Sequence, residues 1–257
     1  MKIATFNING VRGRLSLLLQ WLAEAAPDVV CLQELKCPQN TFPAEALQRA
    51  GYGAVWKGQR AWNGVAILAR DADPVLTRDQ LPGDAEDGQA RYLEAAVEGM
   101  LIGCVYLPNG NPRPGSKFDD KLAWLGRLER HAAALLEAKI PIILVGDFNI
   151  IPTEFDVYKP ERWREDALFH PDVRHAFERL CASGWIDAIR ARHPEEKIFT
   201  FWDYMRNAYG RNDGLRIDHL LLSPALAPVL RTTGVDAHVR GWDKPSDHAP
   251  AWITLDW

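Results

Sequence analysis

The chain reads as a layered α/β fold, and three features of its pattern predict this. Short β-rich apolar runs alternate with longer helical segments along the whole sequence. Two of the runs, Val29–Leu32 and Ile142–Val145, lack polar alternation, as strands covered on both faces do. No Ser- or Gly-rich linker divides the 257 residues, so 1–257 is expected to form one domain.

In chain order, Lys2–Phe6 and Val29–Leu32 are expected strands on either side of a helical Leu15–Ala25, followed by a helix over Pro43–Ala50. Gly64–Ala69, Tyr92–Val97 and Leu101–Tyr106 continue the strand series, and Pro108–Ser116, the segment densest in helix breakers, is a loop. The clearest helix comes next. Ser116 and Asp119 stand as a capping box, and Phe118, Leu122, Leu125, Leu128, Ala132 and Leu135 recur every three or four residues, an apolar stripe that should pack on a sheet. Strands at Ile142–Val145, Ile217–Leu222 and Ala251–Leu255 and a helix at Arg174–Ala182 complete the series. A short echo links Ile3–Ile8 to Leu144–Ile150, and Arg216–His219 precedes a strand much as Pro245–His248 does. Two similar halves, each supplying one sheet, are expected from it.

Composition bounds the function. Apolar residues make up 47% and charged residues 25%, which excludes a disordered or collagen-like chain. The longest apolar runs fall far short of the roughly 20 residues needed to cross a bilayer. Polar Asn7 arrives too early for the core of a signal peptide, so a cytoplasmic, membrane-free protein is expected, as a monomer. Cys31, Cys37, Cys104 and Cys181 have no metal-like or redox spacing and read as small core residues. With 30 basic and 34 acidic side chains the formal charge is −4, so any nucleic-acid partner must be held by a local basic patch.

The informative residues are polar groups at strand termini. Asn7, Glu34 and Asp147 each close an apolar strand, Asn149 lies just beyond, and Asp218 and Asp247 stand at or before the starts of later strands. If the later strands run antiparallel to the earlier ones, all six converge on one edge with His248 beside them. Clustered carboxylates repel unless they share a proton or a cation. Oxygen-only donors favour Mg²⁺ or Mn²⁺ over zinc, and a hard cation of that kind is the usual device for polarising a phosphate oxygen. Phosphate-ester hydrolysis is therefore the expected chemistry. Asp147, beside Asn149, is placed to align and deprotonate a water, and His248, hydrogen-bonded to Asp218, to donate to the phosphate. Either Asp147 or His248 can be the base, and the neighbouring Asn149 favours Asp147. His219 should point away from Asp218, into the core or to the surface.

Six blocks carry a resemblance: Thr5–Gly10, Leu32–Lys36, Tyr106–Asn109, Gly146–Ile150, Leu215–Asp218 and Pro245–Pro250. In this order, across the whole chain, they resemble the signature segments of the exonuclease III family of DNA repair nucleases, within the endonuclease/exonuclease/phosphatase superfamily. The resemblance implies a four-layered α/β sandwich, two β-sheets flanked by helices, and Mg²⁺-dependent cleavage of duplex DNA. The implied substrates are abasic sites and 3′ ends, by incision, 3′→5′ exonuclease action or removal of blocking groups. It implies Glu34 as principal metal ligand with Asn7 beside it and Asp247 near the metal, Asp147 and Asn149 as the pair that positions the nucleophile, Tyr106 and Asn109 as phosphate-side contacts, and Asp218 with His248 as an Asp–His couple.

On the substrate side, Thr200–Tyr204 resembles the family segment that walls a pocket for a flipped-out sugar, with Phe201 and Trp202 supplying the wall together with Leu215. Arg60 and Trp62, Arg113, and Arg206 in the Met205–Arg211 turn are candidate DNA contacts. Two other readings share the pattern: a phosphatase or phosphodiesterase of the same superfamily acting on a non-DNA ester, and a non-catalytic DNA-binding module.

Overall fold

The computed structural model describes residues Met1 to Trp257. Its elements run β1 (Lys2–Asn7), α1 (Leu15–Ala25), β2 (Val29–Gln33), α2 (Ala44–Arg49), β3 (Tyr52–Lys57), β4 (Val65–Arg70), β5 (Val75–Arg78), β6 (Tyr92–Val97), β7 (Met100–Tyr106), α3 (Ser116–Glu137), β8 (Ile142–Asp147), α4 (Pro171–Ala182), β9 (Ile186–Asp187), α5 (Ala188–Arg192), β10 (Asp218–Leu222), β11 (Leu230–Val235) and β12 (Ala251–Leu255). They build two six-stranded sheets, ordered β11-β12-β1-β2-β4-β3 and β5-β6-β7-β8-β10-β9. In each sheet one parallel pair, β1–β2 or β7–β8, sits at the centre and every other pairing is antiparallel.

Side-chain alternation makes the four layers. Ile3, Cys31, Ile102, Cys104, Val145 and Leu220 face the seam between the sheets. Their neighbours Ala4, Phe6, Val30 and Leu32 pack outward under α1 and α2, while Val105, Leu144 and Leu221 pack outward under α3 and α4. Because the side-chain period along a strand is two, Asn7, Tyr106, Asp147 and Asp218 share the inward parity of this seam and emerge together at one end of it. Gly146 lets β8 approach β7 just before Asp147: its φ is +155°, and a Cβ there would lie 1.9 Å from the Val105 carbonyl oxygen.

Two expectations change. Ser116 does not cap α3: Gly115 is the N-cap, no side chain bonds the helix end, and Ser116 is already the first helical residue. The halves are also related differently from the sequence echo. Chain order and pairing make β1-α1-β2 equivalent to β7-α3-β8, so the end of β2, near Glu34, corresponds to the end of β8 at Asp147. Asn7 corresponds to Tyr106, not to Asn149.

Candidate active site and metal centre

At this end of the seam side-chain hydrogen bonds link the two sheets. Asn7 Nδ2 donates to Glu34 Oε1 at 3.0 Å and to Asp147 Oδ2 at 2.9 Å. Glu34, held at a left-handed φ of 52° just past β2, also accepts from the Tyr106 hydroxyl at 2.9 Å. Its other oxygen lies 2.7 Å from Lys36 Nζ. The second oxygen of Asp147 accepts the Asn149 backbone N–H at 2.9 Å. The expected antiparallel pairing sets Asp218 directly opposite Asp147. His248 Nδ1 is 2.8 Å from Asp218 Oδ2, and its Nε2 faces Asp147 Oδ2 at 3.8 Å. Asn109 Nδ2 donates to Asn149 Oδ1 at 3.1 Å, and Asp247 is held by Asn9 Nδ2 at 3.0 Å. His219 points out of the other face and is fully buried against Phe148 and Phe177.

The two carboxylates differ in charge state. For Glu34, burial pushes the pKa up, but hydrogen bonds from Asn7 and Lys36 and the charges of Lys36 and His248 outweigh it and hold the group below its ordinary value. Burial pushes Asp147 up to about 7, with Asp218 and Glu34 adding to the shift against His248 and Asn7. Burial also opposes charge on His248, yet the carboxylates of Asp218 and Asp147 prevail and raise it to about 10, so the imidazolium is favoured. Tyr106 is raised by burial and then by Glu34 and Asp147, and stays a hydroxyl donor.

A hard cation fits these donors. Asp147, Asp218 and His248 bring one ligand atom each within 4.8 Å of one another, and Asp218 Oδ1 is buried without a partner. Across the seam, Glu34, held ionised, and the partly exposed Asp247 both line the open cavity. Four carboxylates, Glu34, Asp147, Asp218 and Asp247, thus converge on two cationic side chains, His248 and Lys36, and this excess of oxygen donors suits a hard cation. Asn7 lies beside Glu34, as the resemblance implied. Its oxygen accepts the Asn9 N–H at 3.1 Å while its nitrogen faces both carboxylates, so here it separates them.

The cavity over the centre has a volume of about 370 Å³, and Trp163, Leu168, Phe201, Leu215 and Ile217 form its apolar wall. Phe201 packs edge-to-face on His248, with ring centroids 5.1 Å apart. Trp202 does not join this wall. Next along an extended segment, it points the other way, is buried against Tyr209, and donates to Asn212. Trp62 stands at the rim, 76% exposed, with Arg60 exposed beside it. Arg206 lines a neighbouring hollow with Arg211. Arg113 is tied to Glu165, whose carbonyl and carboxylate it grips at 2.7 Å each, and so braces two loops. A second hollow of about 520 Å³ adjoins the centre through Tyr106 and Asn109, lined by Gln59, Asn63, Gln89, Arg91 and Lys117. Sequence reasoning missed Lys36, Arg91, Trp163 and Leu168. Lys36 carried a usable signal, standing two residues beyond Glu34, and Arg91 directly precedes β6. Trp163 and Leu168 come from a loop with no periodicity.

The model of the Endonuclease/Exonuclease/phosphatase family matches residues 4–248. The chain is 34% identical over 264 residues to exodeoxyribonuclease III of Haemophilus influenzae, covering 98% of each protein. The solved 3′-5′ exonuclease NExo from Neisseria meningitidis superposes with a TM-score of 0.97 at 40% identity, over 100% of both chains, and a structure of 3′ phosphatase NExo bound to product DNA hairpin does so with 0.95 at 39%, also over 100% of both. An AP endonuclease from Archaeoglobus fulgidus superposes with 0.96 at 34% identity, again over 100% of both chains.

Proposed function

Because the chain belongs to the endonuclease/exonuclease/phosphatase family, we propose that it is a metal-dependent DNA repair nuclease hydrolysing phosphodiesters of duplex DNA, at abasic sites and at 3′ ends, including removal of 3′-blocking phosphates. The observation that carries this reading is the Asn7 amide, which holds two carboxylates of opposite protonation tendency one hydrogen bond away on either side. Paired titratable groups whose surroundings drive their pKa values apart are the mark of divided acid–base roles.

Glu34, with Asp247, would hold Mg²⁺ or Mn²⁺, and the ion supplies Lewis-acid polarisation of a phosphate oxygen. Asp147 is the base. Its pKa near 7 suits proton removal from water at neutral pH, and the Asn149 N–H and the Asn7 amide fix its two oxygens. His248, kept as imidazolium by Asp218, presents an Nε2–H to the developing phosphorane charge. Tyr106 and Asn109 face the same space as donors on the phosphate side. Phe201, Leu215 and Trp163 form the wall against which a sugar is seated, and extrusion into it is easiest where the base is already missing. Arg60, Trp62 and Arg206 contact the DNA outside the pocket. The enzyme acts as a monomer in the cytoplasm.

The test is cleavage of three labelled duplexes: one with an internal abasic analogue, one with a recessed undamaged 3′ end and one with a 3′-phosphate. Mg²⁺-dependent product from at least one of them is expected, and the pattern ranks the activities. No product from any of the three overturns the nuclease reading, and cleavage that survives exhaustive EDTA treatment overturns the metal.

A further inference from the structure

Lys121 sits where the helix pattern calls for an apolar residue. On α3 it falls in the stripe of Phe118, Leu125 and Leu128, and its side chain is completely buried. No carboxylate lies within ion-pair reach. Its ammonium instead donates to two backbone carbonyls, Asn149 O at 2.6 Å and Asn109 O at 3.0 Å. Burial drives its pKa down to about 7 although Asp147 and Asp166 oppose the shift, so a methionine or leucine would pack here with less electrostatic penalty. Stability alone therefore does not account for this lysine.

Its two acceptors do. Asn109 follows β7 and Asn149 follows β8, and both line the catalytic cavity. With their carbonyls drawn toward α3, their side-chain amides meet over the cavity floor: Asn109 Nδ2 donates to Asn149 Oδ1, and Asn149 Nδ2 to Leu107 O at 3.0 Å. Asn149 is held at a left-handed φ of 49°, a conformation unfavourable for a residue with a Cβ, and there its N–H reaches Asp147. The chain between passes over the lysine stem at Gly110, φ +89°, where a Cβ would lie 2.6 Å from Lys121 Cδ. The equivalent helix α1 buries only Leu17, Leu18, Trp21 and Leu22.

We propose that Lys121 is a positioning residue for phosphodiester cleavage, stapling the loops after β7 and β8 so that Asn109, Asn149 and Asp147 keep one arrangement. This rests on the nuclease reading above for its effect on turnover, though not for its structural content. Lys121→Met keeps the stem and removes both grips. The expected result is a kcat lower by about 10- to 100-fold, the order expected when reacting groups are misplaced by up to an ångström, with KM within about threefold and Tm unchanged or higher. Gly110→Ala, which keeps the charge and displaces the stem, should reproduce the kcat loss, and the double variant should fall no further than the worse single one, since both act on one contact. Without metal or DNA, the Asn149 amide of Lys121→Met should exchange hydrogen at least about tenfold faster by NMR. Wild-type kcat in folded Lys121→Met, multiplicative losses in the double variant, or unchanged Asn149 exchange would each overturn the staple. If Lys121→Met fails to fold, Gly110→Ala decides alone: lowered kcat and faster exchange support it, and wild-type values of both reject it. Absence of cleavage by the wild type defeats the nuclease reading instead, leaving the exchange measurement to judge the staple.

Discussion

The units β1-α1-β2 and β7-α3-β8 have the same topology and each delivers a carboxylate at the end of its second strand, yet the two acids end in opposite states. Glu34 has Lys36 against it and an 18% exposed side chain, and is held ionised. Asp147, 2% exposed and opposite Asp218, is pushed toward holding its proton. Topology thus sets where a charged group sits, and the neighbours outside the repeated unit set what it does. A duplicated scaffold can divide cation binding and proton transfer between its copies with no change of backbone plan.

The largest test of this division removes each acid in turn. Glu34→Gln and Asp147→Asn should each lower cleavage by about three orders of magnitude or more, since a Lewis acid and a general base each contribute on that scale. The two should separate in a metal titration: raising Mg²⁺ should recover part of the Glu34→Gln activity and none of the Asp147→Asn activity. Equal rescue of both would erase the distinction between the units.

The second half also carries a buried charge network without a counterpart in the first, in which Arg216 bonds Asp156 at 2.6 Å and Asp187 at 2.8 Å. Burial opposes ionisation of Asp156, but the charge and hydrogen bonds of Arg216, with Arg190 and Thr153, bring its pKa down to about 2 from 3.8. An acid lowered on folding stabilises the fold above its unfolded value, and that contribution disappears as pH falls through the folded one. Between pH 4 and pH 2 about 2 kcal/mol should be lost. Asp156→Asn should flatten this part of the stability curve in denaturant unfolding at pH 6 and pH 3. An unchanged acid slope would detach Asp156 from the network.

Smaller effects should divide the substrate contacts in the same way. The apolar wall comes wholly from the second half, so Phe201→Ala should slow cleavage by about tenfold, mostly through kcat, in the range that shape contacts in apolar pockets provide. Trp62→Ala, at the rim of the first half, should weaken duplex binding by about 1 kcal/mol with little change in kcat. Fluorescence binding and single-turnover rates separate the two, and a reversed pattern would redraw the pocket.

The eight strands legible in the sequence are the eight interior ones; β3, β5, β9 and β11, which gave no clear pattern, are the four sheet edges. An edge strand is covered on fewer sides, so its residues need not be apolar: β5 is exposed along its whole length, and β11 reads Leu-Arg-Thr-Thr-Gly-Val. The same logic governs the site. Glu34, Asp147, Asp218 and His248 were legible because a charge or imidazole at the end of an apolar run breaks a strong pattern. Lys121 interrupts a helical stripe in the same manner, but one lysine in an amphipathic helix is read as solvated until its burial is seen. Trp202 was misassigned because neighbouring residues of an extended segment face opposite ways, and nothing local says which of two aromatics faces inward. The loop brace that Arg113 forms was not legible because its partner, Glu165, lies 52 residues away.

The Asn7 amide is the only side chain hydrogen-bonded at once to the acids of both sheets, which makes it a gauge of how the sheets sit on each other. An oversized residue at Ile102 or Leu220, deep in the seam, would wedge the layers apart by a fraction of an ångström and stretch the Asn7–Asp147 bond, with that from Tyr106 to Glu34, while the Asn7–Glu34 bond within the first sheet stays. Turnover would register that displacement well before melting temperature did, so packing faults remote from the substrate should surface first as slow enzyme rather than as unstable protein.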